Sequence, residues 1–172
     1  MKPIIFLEVL TITLFIANCN SNLPKPNDYI GKEYKTLKEF EFFKDFEEKF
    51  GIVLDLPEQK EYSLAMYQKE NLIIVALEKT VRHVEGRPIF QLLNIIEIEG
   101  IESNQAINFG SCRMNGEIDP TIFAIYNIDD PNAYIFKNMQ RAWRVNIDSS
   151  QFEQIDIQGI DCINEEYGYG IN

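Results

Sequence analysis

The chain has 172 residues, of which 45% are hydrophobic and 12% aromatic, so it is long enough to bury a core and too apolar to be disordered throughout. Its formal net charge of -11 argues against nucleic-acid binding, because such binding depends on lysine and arginine neutralising phosphates. The acidity suits a soluble surface, or a basic protein partner that is attracted by the acidic field.

Residues 1–18 have the pattern of an export signal peptide. Lys2 precedes a run rich in Ile, Phe, Leu and Val, and residues 9–17 supply the roughly 7 to 15 apolar residues that such a signal needs. The run is shorter and more interrupted than the roughly 20 apolar residues of a membrane-spanning helix. An uncleaved signal anchor and a buried N-terminal helix are the alternatives.

The end of this segment resembles the signal of bacterial lipoproteins. Residues 16–19 are Ile, Ala, Asn and Cys, which match an aliphatic residue, two small residues and a lipidated cysteine, although Asn18 departs from the usual Gly, Ala or Ser. The resemblance implies cleavage before Cys19 and attachment of diacylglycerol and a further acyl chain, such as palmitate, to this residue. It also implies a lipid-anchored protein of the bacterial envelope, on the inner or outer membrane and facing the periplasm or the exterior. The polar residues 19–35 are then predicted to be the lipidated N-terminus and a flexible tether.

The remaining cysteines favour a disulfide. If Cys19 carries lipid, Cys112 and Cys162 are left as an even pair in an oxidising compartment, and a bridge would close a loop of about 50 residues. The alternative is that Cys112 is a nucleophile with a histidine base. The only histidine, His83, lies in a charged segment predicted to be an exposed turn.

Residues 36–172 are predicted to form a single α+β domain. Over residues 36–51, Thr36 and Glu39 have the form of a capping box and Gly51 stands where a helix commonly ends. The phenylalanines between them recur at three- and four-residue spacing, which is typical of an amphipathic helix that packs on a sheet. They are Phe42, Phe43, Phe46 and Phe50.

The following residues alternate between β-rich runs and turn signals. Residues 62–68 and 71–79 predict a hairpin, and residues 88–101 predict a central strand covered on both faces, or a short helix. Further strands are predicted on either side of the turn at Asn115 and Gly116. Residues 131–142 predict a short helix, because Asp130 is followed by a proline, and a last hairpin follows. The expected fold is therefore an antiparallel curved sheet of about 6–7 strands with two helices packed on it.

No cofactor or metal is predicted, because one histidine and two paired cysteines cannot form the usual zinc site. Tyr167 and Tyr169, spaced by glycine beside two glutamates, predict an adaptable binding edge or, alternatively, a frayed terminus. Trp143 either adds a stacking surface to this edge or lies in the core.

No catalytic constellation is evident, so the sequence favours a non-catalytic, lipid-anchored binding protein. An immunity or inhibitor protein that neutralises a basic toxin or enzyme is one specific form of this hypothesis. The alternatives are an envelope enzyme that uses Cys112 or a carboxylate pair, and a passive structural component of the envelope. The C-terminal run from residue 109 onwards is similar to small uncharacterised bacterial envelope proteins, and that resemblance implies no activity.

Overall fold

A computed structural model describes residues 24–54, 56–57 and 61–167. Strands occupy 55% of these residues and short 3-10 turns 7%, and no α-helix occurs among them. The predicted α+β fold is therefore wrong, since the described chain is almost entirely β. None of its helical segments is long and apolar enough to cross a membrane. The predicted signal peptide, Cys19 and Tyr169 lie outside the described residues.

The described strands form three antiparallel sheets. In chain order they are β1 (Glu33–Tyr34), β2 (Glu47–Val53), β3 (Tyr62–Lys69), β4 (Leu72–Val84), β5 (Arg87–Ile98), β6 (Gln105–Phe109), β7 (Cys112–Met114), β8 (Glu117–Ile118), β9 (Ile122–Asn127), β10 (Ile135–Phe136), β11 (Met139–Asn146), β12 (Gln151–Ile155) and β13 (Ile160–Ile163). Sheet A has the order β1-β5-β4-β3-β2, sheet B the order β12-β11-β9-β6, and sheet C the order β10-β13-β7-β8.

Sheet A is buried on both faces. Side chains alternate across a strand, so β4 directs Val75 and Leu77 to one face and Ile74 and Ala76 to the other. The first face packs against sheet B, where the main contacts are aromatic and aliphatic side chains of β9 and β11. The near-continuous apolar run of β4 is what a strand covered on both sides requires. The predicted hairpin is confirmed as β3 and β4, and the predicted central strand is confirmed as β5, between β1 and β4.

The second face of sheet A is covered by residues 26–46, here called the N-terminal strap. The strap consists of the 3-10 turns Pro26–Tyr29, Leu37–Glu39 and Glu41–Phe43, with β1 between the first two. Its buried aromatic side chains pack on the β3, β4 and β5 side chains of this face. The aromatic members are Tyr29, Tyr34, Phe43 and Phe46. The strap thus begins within the stretch predicted as a flexible tether, and the folded domain starts about ten residues before residue 36.

The predicted amphipathic helix over residues 36–51 is absent. Two 3-10 turns occupy its first half and β2 begins at Glu47. Although the phenylalanines are regularly spaced, they do not share one surface. Phe43 and Phe46 belong to the strap and cover one face of sheet A, whereas Phe50 lies on β2 and faces sheet B. Strand pairing with β3 therefore overrides the helical pattern of this segment.

The predicted helix over residues 131–142 is also absent. The Asp130 side chain accepts a hydrogen bond from the backbone N–H of Asn132 at 2.9 Å, but it forms a turn rather than a helix N-cap. From Met139 onwards the chain pairs with β9 as β11. As part of sheet B, β11 buries Ala142, Trp143 and Val145. A short helix with little packing would be only marginally stable.

Sheet C covers the outer face of sheet B and is closed by a disulfide. Ile122, Ala124 and Tyr126 of β9 contact this layer. Cys112 of β7 and Cys162 of β13 are direct neighbours across the strand pair, with their Sγ atoms 2.05 Å apart. The disulfide ties the C-terminal residues to the middle of the chain, 50 positions away.

The strap can be tested by truncating one of its aromatic side chains. Phe43 is 0% exposed. Because Phe43→Ala leaves a cavity between strap and sheet A, we expect the free energy of unfolding to fall by about 3–5 kcal/mol in urea denaturation. Val53→Ala on the exposed edge of β2 is the control, expected to change stability by less than about 0.5 kcal/mol. Equal, small effects of the two substitutions would show that the strap does not contribute to the core.

Candidate functional site

A concave surface with aromatic side chains on its lining lies at the edge of the molecule and is here called the β2–β6 groove. Its volume is about 490 Å³. Lys49 and Phe50 of β2 form one side, Asn108 and Phe109 of β6 the floor, and residues 164–166 the opposite rim.

The groove exists because two edge strands meet there. β2 is the last strand of sheet A and β6 the last strand of sheet B, and the rings of Phe50 and Phe109 stack with centroids 5.7 Å apart. Gly110 has φ +76°, and a Cβ atom built there would lie 2.9 Å from Cδ1 of Ile52. The positive φ favours glycine at this position, and a larger residue would also require the Ile52 side chain to move.

A β-bulge at Lys49 directs the neighbouring side chains of β2 to opposite faces. The register with β3 shifts between Glu48, which lies opposite Tyr67, and Phe50, which lies opposite Met66. As a result Glu48 faces the strap side of sheet A and Phe50 faces the groove. Because of the bulge, this edge strand presents a carboxylate, Glu48, on its strap face and an aromatic ring, Phe50, on its groove face.

The rim of the groove is held by Asn164. This buried side chain donates hydrogen bonds from Nδ2 to the carbonyl oxygens of Pro131 and Ala133, at 3.0 and 2.9 Å. Its Oδ1 accepts a hydrogen bond from the N–H of Glu166 at 3.0 Å. Asn164 therefore fixes the backbone that presents Glu165 and Glu166, and no motif in the sequence singled it out.

The charges around the groove are predominantly acidic. Lys49 is the one cation on the lining among the described residues, and its Nζ lies 2.6 Å from Oε2 of Glu47 on the same strand. Glu165 and Glu166 take part in none of the ion pairs found among the described residues. The groove therefore presents two carboxylates beside an aromatic floor.

β2 is an edge strand on which every residue except Ile52 is exposed. Among the described residues β2 pairs only with β3, so its outer N–H and C=O groups face away from the sheet. Phe50 is 39% exposed and Val53 is 64% exposed. β2 carries charged residues at 47–49, and residues 50–53 are uncharged, so this second half of the edge is the part that can pair with another extended chain.

The predicted binding residues are only partly near this groove. Tyr167 is 54% exposed, follows Glu166 on the rim, and contacts Tyr134 edge to face at 5.3 Å. Trp143 is 6% exposed and stacks on Phe123 at 5.2 Å, between sheets A and B. The core alternative for Trp143 is therefore correct, and its ring offers no surface for binding.

Cys112 cannot act as the nucleophile of a thiol enzyme in this structure. Cys112 is fully buried and forms the disulfide with Cys162, so no thiolate is available at this position. His83, the candidate base, lies exposed on β4 and not in a turn. No cluster of three or more metal-ligating side chains occurs in the described part of the chain.

A second concave site, here called the Glu78 pocket, lies on the strap face of sheet A. Its volume is about 200 Å³. Glu78 of β4 is only 4% exposed, and its carboxylate accepts hydrogen bonds from the Tyr34 hydroxyl at 2.6 Å and the Ser63 hydroxyl at 3.4 Å. No lysine or arginine pairs with Glu78 among the described residues. No motif in the sequence marks Glu78 as a candidate site residue.

Burial dominates the acid–base properties of this pocket. It raises the pKa of Glu78 to about 7, the hydrogen bond from Tyr34 opposes the rise, and the charge of Glu48 adds to it. Burial likewise raises the pKa of the Tyr34 hydroxyl, and the negative charge of Glu78 adds to this effect. Glu78 is thus a carboxyl group that changes its charge near neutral pH.

Comparison of the chain with protein-family models, with curated protein sequences and with solved structures returns no significant match. Function is therefore inferred from the geometry of the β2–β6 groove and of the Glu78 pocket.

The pKa of Glu78 predicts a specific pH dependence of stability. An acid whose pKa is higher in the folded than in the unfolded state contributes stability that is present below the unfolded value of about 4.5 and lost as pH rises through about 7. We expect the free energy of unfolding of the wild type, relative to Glu78→Gln, to fall by about 3 kcal/mol across this window. Urea denaturation at a series of pH values measures the difference. Exposed Glu117→Gln is the control, and a Glu78→Gln profile parallel to the wild type would contradict the assignment.

Proposed function

We propose that this chain is a lipid-anchored envelope protein that binds an extended, basic segment of a partner protein in the β2–β6 groove. The observation that carries the proposal is the edge of β2 beside an aromatic floor and a rim of two carboxylates that form no ion pair with any described residue. Catalysis forms no part of this proposal.

The geometry suits the addition of a strand to an exposed sheet edge. In this mode the main-chain groups of the edge strand provide hydrogen bonds, and pockets beside the edge select alternate side chains of the added segment. Phe50, stacked on Phe109, is a large, partly exposed anchor at the centre of the groove. Well-packed aromatic side chains of this kind carry much of the binding energy at interfaces.

The charges favour a basic partner over an acidic or neutral one. Glu165 and Glu166 lie on the rim, and the whole chain carries a formal net charge of -11. An acidic field raises the rate at which a cationic segment arrives, and the local carboxylates favour lysine or arginine side chains in the bound segment. An immunity or inhibitor protein acting on a basic toxin or enzyme fits this chemistry.

The lipid anchor is proposed from residues 16–19. A disulfide between Cys112 and Cys162 suits the oxidising side of a membrane, where a lipoprotein resides. The first turn of the strap begins at Pro26, so six residues separate Cys19 from the start of the fold. Such a segment spans at most about 20 Å, so an acylated Cys19 would hold the domain close to the bilayer.

The groove is tested with a short peptide that alternates lysine and valine, and with the same peptide carrying glutamate in place of lysine. We expect the wild type to bind the lysine peptide and not the glutamate peptide in fluorescence anisotropy. Both Phe50→Ala and the double variant Glu165→Lys with Glu166→Lys should weaken the affinity at least tenfold, which corresponds to about 1.4 kcal/mol.

A matched control separates local from global charge effects. Glu97→Lys with Glu117→Lys changes the net charge by the same amount at exposed positions outside the groove lining, so it should preserve most of the affinity. If this control weakens binding as much as the rim variant, the peptide recognises net charge alone. Equal binding of both peptides would also contradict the proposal.

The anchor is tested by Cys19→Ser in a bacterial host. We expect the wild type in the membrane fraction, with an acylated N-terminal cysteine in mass spectrometry, and the Cys19→Ser protein without acyl groups. Asn18→Ala, which restores the usual small residue, should keep the modification. An intact, unacylated N-terminus in membrane-extracted wild-type protein would refute the lipoprotein assignment and leave the groove proposal untouched.

A further inference from the structure

The Glu78 pocket combines a cavity, aromatic side chains on its lining and a buried carboxyl group that has no cationic partner in the described part of the chain. We propose that it binds a small organic ammonium ion, with the charged nitrogen directed at the Glu78 carboxylate. This site is separate from the β2–β6 groove, because the two open on opposite faces of β2.

The cavity results from small side chains on two adjacent strands. Gly51 of β2 lies opposite Ala65 of β3, and Val53 lies opposite Ser63, all on the strap face of sheet A. Neither Gly51 nor Ala65 fills the space above the sheet, and the buried strap residues Phe43 and Phe46 are not part of the cavity lining. Phe43 packs on Tyr67, one of the residues that line the cavity. A volume of about 200 Å³ therefore remains, which suits a ligand of a few heavy atoms.

The walls of the cavity are aromatic. Tyr34, Tyr67 and Phe90 line it, and the rings of Tyr34 and Phe90 lie 6.1 Å apart with a tilt of 36°. The faces of aromatic rings attract ammonium groups, and the attraction increases where water is excluded. An aromatic lining around a carboxyl group favours an organic cation over a hydrated inorganic one.

Glu78 supplies the charge that such a ligand would neutralise. Buried glutamates are normally paired with a cation, yet Glu78 is 4% exposed and is held only by hydroxyl groups among the described residues. Its position on β4 shares a face with Ile74 and Ala76, where an apolar side chain would pack without the cost of burying a carboxylate. A bound ammonium ion would compensate this charge.

The remaining charges around the pocket leave it negative. Glu48 of β2 lies exposed beside it, Glu61 is within 3.7 Å of the ammonium group of Lys79, and Lys35 is the one lysine on the lining in the described structure. A metal ion is disfavoured, because the described residues hold no cluster of three ligating side chains and calcium takes six to eight oxygen ligands.

The test uses tetramethylammonium and butylammonium as probes, with neutral tert-butanol for comparison, measured by calorimetry and by NMR shifts of residues 34, 67 and 90. We expect saturable binding of at least one ammonium ion above pH 7 and none of the alcohol. The affinity should fall as pH is lowered through about 7, because Glu78 becomes protonated, whereas burial raises the pKa of the Tyr34 and Tyr67 hydroxyls and keeps both neutral across this range. Glu48, Glu61 and Lys35 are the other ionisable groups on the lining.

Two variants distinguish ligand binding from a structural role. Glu78→Gln keeps hydrogen-bonding groups and removes the charge, so it should weaken ammonium binding at least tenfold and abolish its pH dependence. Gly51→Val should block the cavity in a folded protein, since a Cβ at residue 51 meets only the Leu64 carbonyl oxygen, at 3.9 Å.

Phe50→Ala should leave ammonium binding unchanged, which separates this proposal from the groove. Equal binding by the wild type and Glu78→Gln would overturn the inference. It would also be overturned by equal binding of the alcohol, or by the absence of saturable binding above pH 7 in folded wild-type protein.

Discussion

The burial of sheet A on both faces is the constraint on which the rest of this structure depends. β4 is apolar on two sides, so one cover has to come from sheet B and the other from the N-terminal strap. Neither sheet B nor the N-terminal strap covers sheet A completely near β2. On the strap face the small side chains there leave the Glu78 pocket, and on the other face the β2–β6 groove lies where the edge strands of sheets A and B meet. Both candidate sites are therefore consequences of how the sheet is covered.

The outer layers determine how rigidly the groove is presented. Sheet C packs on sheet B, and the disulfide between Cys112 and Cys162 fixes β13 against β7. Asn164 follows β13 directly and holds the backbone that carries Glu165 and Glu166. Because the disulfide and Asn164 act on adjacent residues, the acidic rim is placed by the fold and does not depend on a free C-terminal segment.

Local patterns in the sequence predicted the strands but not what covers them. The β3–β4 hairpin and the turn at Asn115 and Gly116 followed from alternation and from turn chemistry, and both residues of that turn have positive φ. The helix over residues 36–51 was wrong because three- and four-residue spacing of phenylalanines also suits an irregular strap followed by a strand. Periodicity alone does not distinguish these two arrangements.

The two candidate sites depend on long-range contacts that the sequence pattern does not contain. The groove needs β2 beside β6, which are separated by more than 50 residues and are not hydrogen bonded. Glu78 could have been found, since alternation along β4 places it on the same face as Ile74 and Ala76.

Native-state hydrogen exchange, combined with NMR backbone chemical shifts, tests the double-sided burial of sheet A most directly. The structure predicts that the amides of Ile74, Val75, Ala76 and Leu77 exchange only through global unfolding, and that residues 47–53 have extended-strand shifts. Early exchange of these β4 amides, or helical shifts across residues 36–51, would contradict it.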